Sequence, residues 1–135
     1  MPKRGPDRPT DAQLAILNVL WDAGSATVRQ VHELLPARLR RGYTTTLKLL
    51  QIMAEKGLVE RDQSSRSHVY TAAFGEREMK DRLVGDLVEK AFGGSGARLA
   101  MRALSERPAS AEELAEVRRL LDRMDAAMDE KRRGR

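Results

Sequence analysis

Apolar residues recur along this chain at helical spacing, then in alternation, then at helical spacing again. Leu14, Leu17, Val19, Leu20 and Trp21 form a broad apolar face, and Thr10-Asp11-Ala12-Gln13 ahead of them reads as a capping box. In such a box the threonine hydroxyl accepts from the third backbone N–H while the glutamine reaches back to the cap. The first helix is therefore expected to begin at Thr10 and to end at Asp22-Ala23-Gly24-Ser25. A second box, Thr27-Val28-Arg29-Gln30, opens a short helix expected to turn Val28, Val31, Leu34 and Leu35 to the core. Pro36 stops it, because the residue before a proline resists the helical region.

A third helix is expected from Thr44 to Lys56, closed by Gly57 at the position where φ > 0 is usual. Leu47, Leu49, Leu50, Met53 and Ala54 point to one side of it. Thr44, Lys48, Gln51 and Glu55 lie opposite, with Thr45 and Ile52 at the edge. The period then changes. Leu58 to Asp62 and Ser67 to Ala72 read as two strands around the polar tip Gln63-Ser64-Ser65-Arg66.

From residue 75 onward the pattern is helical. Arg77 to Phe92 carries Leu83, Val84, Leu87, Val88 and Ala91 on one stripe, and Gly93-Gly94-Ser95-Gly96 breaks it. Ala97 to Ser105 is a short helix with Leu99, Ala100, Ala103 and Leu104. A third capping box, Ser110-Ala111-Glu112-Glu113, opens the last helix, in which Leu114, Val117, Leu121, Met124 and Met128 are spaced alternately three and four apart. That is a heptad seam about two heptads long. Met1 to Pro9, with Pro2, Pro6 and Pro9, has no periodicity and is expected to be a disordered arm; Lys131 to Arg135 is expected to be a frayed basic tail.

These elements give a mainly α fold class with a small β-hairpin. A winged helix-turn-helix domain is expected over residues 10–74, a helical dimerisation region over 75–129 and a basic tail over 130–135. At 135 residues, each part is near the lower limit for a self-sufficient core. Aromatics make up only 4% of the chain, so aliphatic side chains must build those cores and a second copy is a natural source of further burial.

Charge sharpens this picture. Residues 1–74 hold 11 Lys and Arg against 7 Asp and Glu, whereas residues 75–135 hold 14 against 13. Excess basicity in the half with the helix-hairpin pattern suits a phosphate-facing surface. The absence of cysteine excludes disulfides, thiolate metal sites and cysteine nucleophiles, and fits a reducing cytoplasm. No apolar run approaches the roughly 20 residues of a membrane span, and the amino terminus lacks the apolar stretch of a signal peptide. A cytoplasmic protein without membrane insertion is expected.

The candidate chemistry is recognition. Thr44, Thr45, Lys48 and Gln51 can hydrogen-bond base edges or phosphates, unless theirs is an ordinary solvated face; Glu55 is expected to lie too far along the helix. Arg38, Arg40 and Arg41 have no acidic neighbour from Leu34 to Ala54 and suit phosphate clamps, or a solvated loop. Arg66 at the hairpin tip and Arg61 on the first strand could reach a minor groove or a phosphate, or remain solvated. Tyr43 either contacts a phosphate or fills the turn. His32 and His68, isolated from each other, read as structural or solvated, and no metal site is expected. Gly93-Gly94-Ser95-Gly96 lacks the Gly-Lys-Ser/Thr of a phosphate loop. The chain is expected to have no catalytic residues and no cofactor.

The segments Thr10 to Leu17 and Leu20-Trp21, then Thr27-Val28-Arg29-Gln30-Val31, Tyr43-Thr44-Thr45-Thr46-Leu47, Glu55-Lys56-Gly57-Leu58-Val59 and Val69-Tyr70 resemble the penicillinase repressor family in order and spacing. That family also contains the methicillin-resistance and copper-responsive repressors. The resemblance implies a homodimeric winged-helix repressor that binds a palindromic operator in double-stranded DNA and blocks transcription. It also implies that the third helix reads bases, which falls here on Thr44, Thr45 and Lys48, and that the helical second half dimerises. Two features of the family are missing. The antibiotic-responsive members are inactivated by cleavage at an Asn-Phe bond, absent near Met101-Arg102-Ala103-Leu104, so a sensor protease does not carry over as partner. The copper-responsive members use a cysteine cluster, and this chain has no cysteine. The alternatives to a repressor are a transcriptional activator and a winged-helix module that binds protein.

Overall fold

The computed structural model describes residues 8–64 and 66–134. The expected disordered arm therefore lies almost wholly outside the described residues, as do Ser65 of the hairpin tip and Arg135. Pro9, grouped with the arm by composition, is buried.

The element order is α1 (Asp11–Ala23), β1 (Ala26–Thr27), α2 (Val28–Leu34), α3 (Tyr43–Glu55), β2 (Val59–Asp62), β3 (Val69–Ala72), α4 (Glu76–Ala91), α5 (Gly96–Glu106) and α6 (Ala111–Arg133). All three capping boxes form as the residue types dictate. Thr10, Thr27 and Ser110 accept from the backbone N–H of Gln13, Gln30 and Glu113, whose side chains bond back. The backbone amide and hydroxyl of Ser110 hold the Glu113 carboxyl below the usual glutamate range. Gly57, with φ 79°, turns the chain directly from α3 into the hairpin.

The two hairpin strands are joined by a third. β1 and β2 both pair antiparallel with the central β3, in the order β1-β3-β2, with Ala26 opposite Tyr70 and Val59 opposite Ala72. Two residues are too few to show an alternation, so β1 is invisible to pattern reading; its Thr27 serves both as strand and as the cap of α2. This fixes the start of α2 to the hairpin that flanks α3.

The chain divides into two compact units, Met1–Asp86 and Leu87–Arg135. The first has a winged-helix core of Ile16, Leu17 and Leu20 from α1, Val31 and Leu35 around α2, Leu50 and Met53 from α3, and Leu58, Val59 and Tyr70 from the hairpin. Met79 completes it and Leu83 packs against it, which is why the division falls inside α4 and not at residue 74. The Trp21 indole N–H donates to the Phe74 carbonyl at 2.9 Å, tying the end of α1 to the chain leaving β3.

Three expectations are corrected. Leu34 is 59% exposed, because Val28, Val31 and Leu35 define the inward stripe of α2 and Leu34 lies about a quarter-turn off it. Val84 and Leu87 of α4 are exposed, and Met79 takes the inward place one turn earlier. The basic tail is helical through Arg133, where Lys131, Arg132 and Arg133 sit at the negative end of the α6 dipole. In the second unit neither α5 nor α6 has a fully buried residue; Leu99, Leu114 and Val117 are half-buried.

Tyr70 is fully buried, and its hydroxyl has no hydrogen-bond partner among the described residues. A buried unpaired hydroxyl carries a desolvation penalty, so removing it while keeping the ring relieves a cost. Tyr70→Phe is expected to leave stability unchanged or raise it by up to about 1 kcal/mol in urea denaturation. A loss of more than that would show the hydroxyl to be bonded.

Candidate nucleic-acid interface

α3 is held by one face and open on the other. Thr46, Leu50 and Met53 are buried, whereas Thr44, Thr45, Lys48, Gln51 and Glu55 are all exposed. The open face is the one expected to recognise DNA.

The start of α3 differs from that of its neighbours. Side-chain oxygens cap α1, α2, α5 and α6, but the cap of α3 is Gly42, which offers none. The backbone N–H groups of Tyr43 and Thr44 therefore have no side-chain cap at the positive end of this 13-residue helix, while that of Thr45 donates to the Gly42 carbonyl at 3.0 Å. Tyr43, Thr44 and Thr45 surround that end.

A chain of side chains fixes α3 to α2. The Thr46 hydroxyl and His32 Nδ1 are hydrogen-bonded at 2.9 Å. The same imidazole meets the Tyr43 ring edge-on at 5.7 Å, and the Arg29 guanidinium lies over that ring at 5.6 Å. Tyr43 thus packs against α2 and stays partly exposed, and His32 is structural. Sequence reasoning missed Thr46, since a threonine among threonines carries no mark of burial. It also missed Arg29, which the second capping box had absorbed as a helix residue.

The three loop arginines do different work. The Arg40 guanidinium donates to the carbonyls of Leu35 at 2.9 Å and Glu33 at 3.3 Å, satisfying acceptors at the end of α2. Arg41 donates to the Arg38 carbonyl at 3.2 Å. Arg38 is exposed and borders a cleft lined by Asp11, Asn18 and Asp22 of α1. Arg38, Arg40 and Arg41 all keep the exposure a phosphate clamp needs, and Arg40 also shapes the loop.

At the hairpin, Arg61, Arg66 and His68 are exposed. The Ser64 backbone N–H donates to the Asp62 carboxylate at 2.9 Å, and this bond, with one from the Ser64 hydroxyl, holds that carboxyl below the usual aspartate range. Ion pairs among the described residues lie on α4 and α5, namely Arg77–Asp81, Lys80–Glu76 and Arg102–Glu106. The cations from Arg29 to Arg66 are thus left unneutralised by near carboxylates. Among the described residues no group of three or more His, Cys, Asp or Glu could hold a metal ion.

In the second unit, Leu121, Met124 and Met128 are 52%, 53% and 56% exposed along α6, continuing the seam that Leu114 and Val117 begin. Met101 and Leu104 of α5 are exposed as well.

The chain matches the family model described as penicillinase repressor over residues 9–123. It is 34% identical over 117 residues to the transcriptional regulator BlaI of Mycobacterium tuberculosis, in both the CDC 1551/Oshkosh and ATCC 25618/H37Rv strains, covering 86% of this chain and 84% of that protein. Among solved structures it is similar to the DNA-binding domain of the repressor BlaI in solution, with 26% identity, 55% of this chain and 89% of that chain covered, and a TM-score of 0.47.

The Thr46–His32 bond generates a test. Thr46→Val keeps the shape of the buried side chain and leaves the imidazole nitrogen unpaired, so it is expected to cost about 1 kcal/mol in urea denaturation, with Thr46→Ser retaining the bond. Equal stability of the valine and serine variants would remove the bond from the account.

Proposed function

Since this chain belongs to the penicillinase repressor family, we propose that it is a homodimeric repressor of transcription that binds a palindromic DNA operator. The open face of α3 carries this reading: it is polar, its helix starts at a glycine without a side-chain cap, and the cations from Arg29 to Arg66 around it have no carboxylate within 4.0 Å among the described residues. In this reading α3 enters the major groove. Thr44, Thr45 and Lys48 meet base edges, Lys48 suiting the guanine acceptors and the threonine methyls suiting thymine. Tyr43, Arg38, Arg40, Arg41 and Arg66 meet the sugar-phosphate backbone, Arg40 while also holding the loop at the end of α2.

The second unit supplies the twofold. Leu114, Val117, Leu121, Met124 and Met128 of α6 pack against a second copy, setting the separation of the two α3 helices. The protein acts in the cytoplasm, where the DNA is; no described helix is long and apolar enough to cross a membrane.

Fluorescence anisotropy against the DNA upstream of its own gene, beside a random duplex and at two salt concentrations, tests the reading directly. Preference of about 1,000-fold or more for a palindrome in that DNA is expected. Equal binding to both duplexes would overturn operator recognition there, and no binding to either would favour a protein partner. A promoter-reporter assay separates repression from activation.

Two variants divide the roles. Lys48→Ala is expected to cost roughly 1–3 kcal/mol on the operator and to shift specificity, because a base contact is lost. Equal losses on operator and random DNA would sink base reading by Lys48. Val117→Asp with Leu121→Asp places two charges in the α6 seam, and sedimentation is expected to show monomers. A dimer that persists unchanged would reject the seam.

A further inference from the structure

Between the start of α2, the start of α3 and the hairpin lies a cleft of about 440 Å3, whose lining includes Thr27, Arg29, Tyr43, Arg66 and His68. No acidic side chain lines it, in contrast to the cleft beside α1, where Asp11 and Asp22 accompany Arg38. Among the described residues no carboxylate lies within 4.0 Å of Arg29, Arg66 or His68. Two guanidinium groups thus border one cleft without a counter-charge, an arrangement that an anion would relieve.

The geometry of Arg29 narrows the choice of anion. Its guanidinium carbon lies over the Tyr43 ring, 5.6 Å from the centroid, a cation–π contact that uses none of its N–H donors. His32 packs edge-on against the same ring at 5.7 Å, so the ring that holds Arg29 is itself held. In-plane arginine donors match the paired oxygens of a phosphate, with charge-assisted bonds about twice as strong as neutral ones. The Tyr43 and Thr27 hydroxyls add neutral donors at the same opening.

We infer that this cleft is a phosphate-binding site in which Arg29, held over the Tyr43 ring, is the principal ligand and Arg66 the second. The phosphate comes either from the backbone of a DNA duplex lying along α3 or from a small phosphate monoester. The first source rests on the DNA-binding reading above; the second does not. Arg29 and His68 are thereby added to the binding surface, and β1 acquires a purpose. By pairing with β3 it holds the start of α2 beside the hairpin, so that Arg29 and Arg66 share one opening.

The test uses the full chain and Arg29→Ala, a change at an exposed position. If the phosphate is that of DNA, the variant should lose affinity equally on operator and random duplex. The slope of log affinity against log salt should also fall by about 0.9 for each phosphate released, hence by about 1.8 for a dimer. Arg29→Lys should recover much of the slope, since it keeps the charge. Inorganic phosphate titrated at constant ionic strength, followed by backbone amide NMR, examines the second source. Shifts at Thr27, Arg29, Tyr43 and His68 in the wild type and not in Arg29→Ala, with DNA binding unaltered, would assign a small phosphate ligand. Loss on operator alone with an unchanged slope would make Arg29 a base contact and overturn the proposal. So would an Arg29→Ala protein that matches the wild type in both experiments. Should the wild type bind no DNA, the operator reading fails by itself and the phosphate titration still decides this site.

Discussion

The burial of one face of α3 is the constraint from which the rest of the first unit follows. Leu50 and Met53 are fully buried in a core that is mostly aliphatic, with Tyr70 its fully buried aromatic among the described residues. Once those two positions face inward, the 100° step of the helix dictates that Thr44, Lys48, Gln51 and Glu55 face out. Thr46 then falls inside, and a buried hydroxyl needs a partner, which His32 supplies. His32 in turn carries Tyr43, and Tyr43 carries Arg29. Apolar packing thus sets the orientation of the polar face, and a polar chain one layer out holds its first turn.

Much of this was legible in the sequence, and the reason is that helix starts are local. The capping boxes at Thr10, Thr27 and Ser110 each require only the right residue at the cap and three positions later, so pattern and structure agree. Gly57 is likewise a local requirement, for a positive φ. What escaped notice depends on contacts distant in sequence. β1 exists because Ala26 and Thr27 meet Tyr70 and Val69, over forty residues away. Leu34 lies about a quarter-turn off the inward stripe of Val28, Val31 and Leu35, and which of these neighbouring apolar positions is covered is decided by the elements packed on α2. The place of Met79 in the first core, hence the position of the division within α4, is of the same kind.

The candidate site divides along the same line. That the outward face of α3 is polar follows from periodicity alone. That Arg40 also ties the loop down does not, because it turns on two carbonyls at the end of α2 that only the folded loop brings to it. Spacing likewise gives no hint that Arg29 and Arg66 border one cleft, since they lie on different elements and meet only through the β1–β3 pairing.

The second unit poses a problem that the first does not. α6 is 23 residues long, yet neither it nor α5 has a fully buried side chain. A helix gains little from its backbone bonds alone and takes most of its stability from burying an apolar face. Each ordered residue costs about 1–2 kcal/mol of backbone entropy, which a half-exposed Leu121, Met124 and Met128 do little to offset. Such a surface is therefore an incomplete core, and the exposed seam is where the missing part belongs. In the proposed dimer a second copy would bring the same seam in reverse, satisfying both faces with one interface.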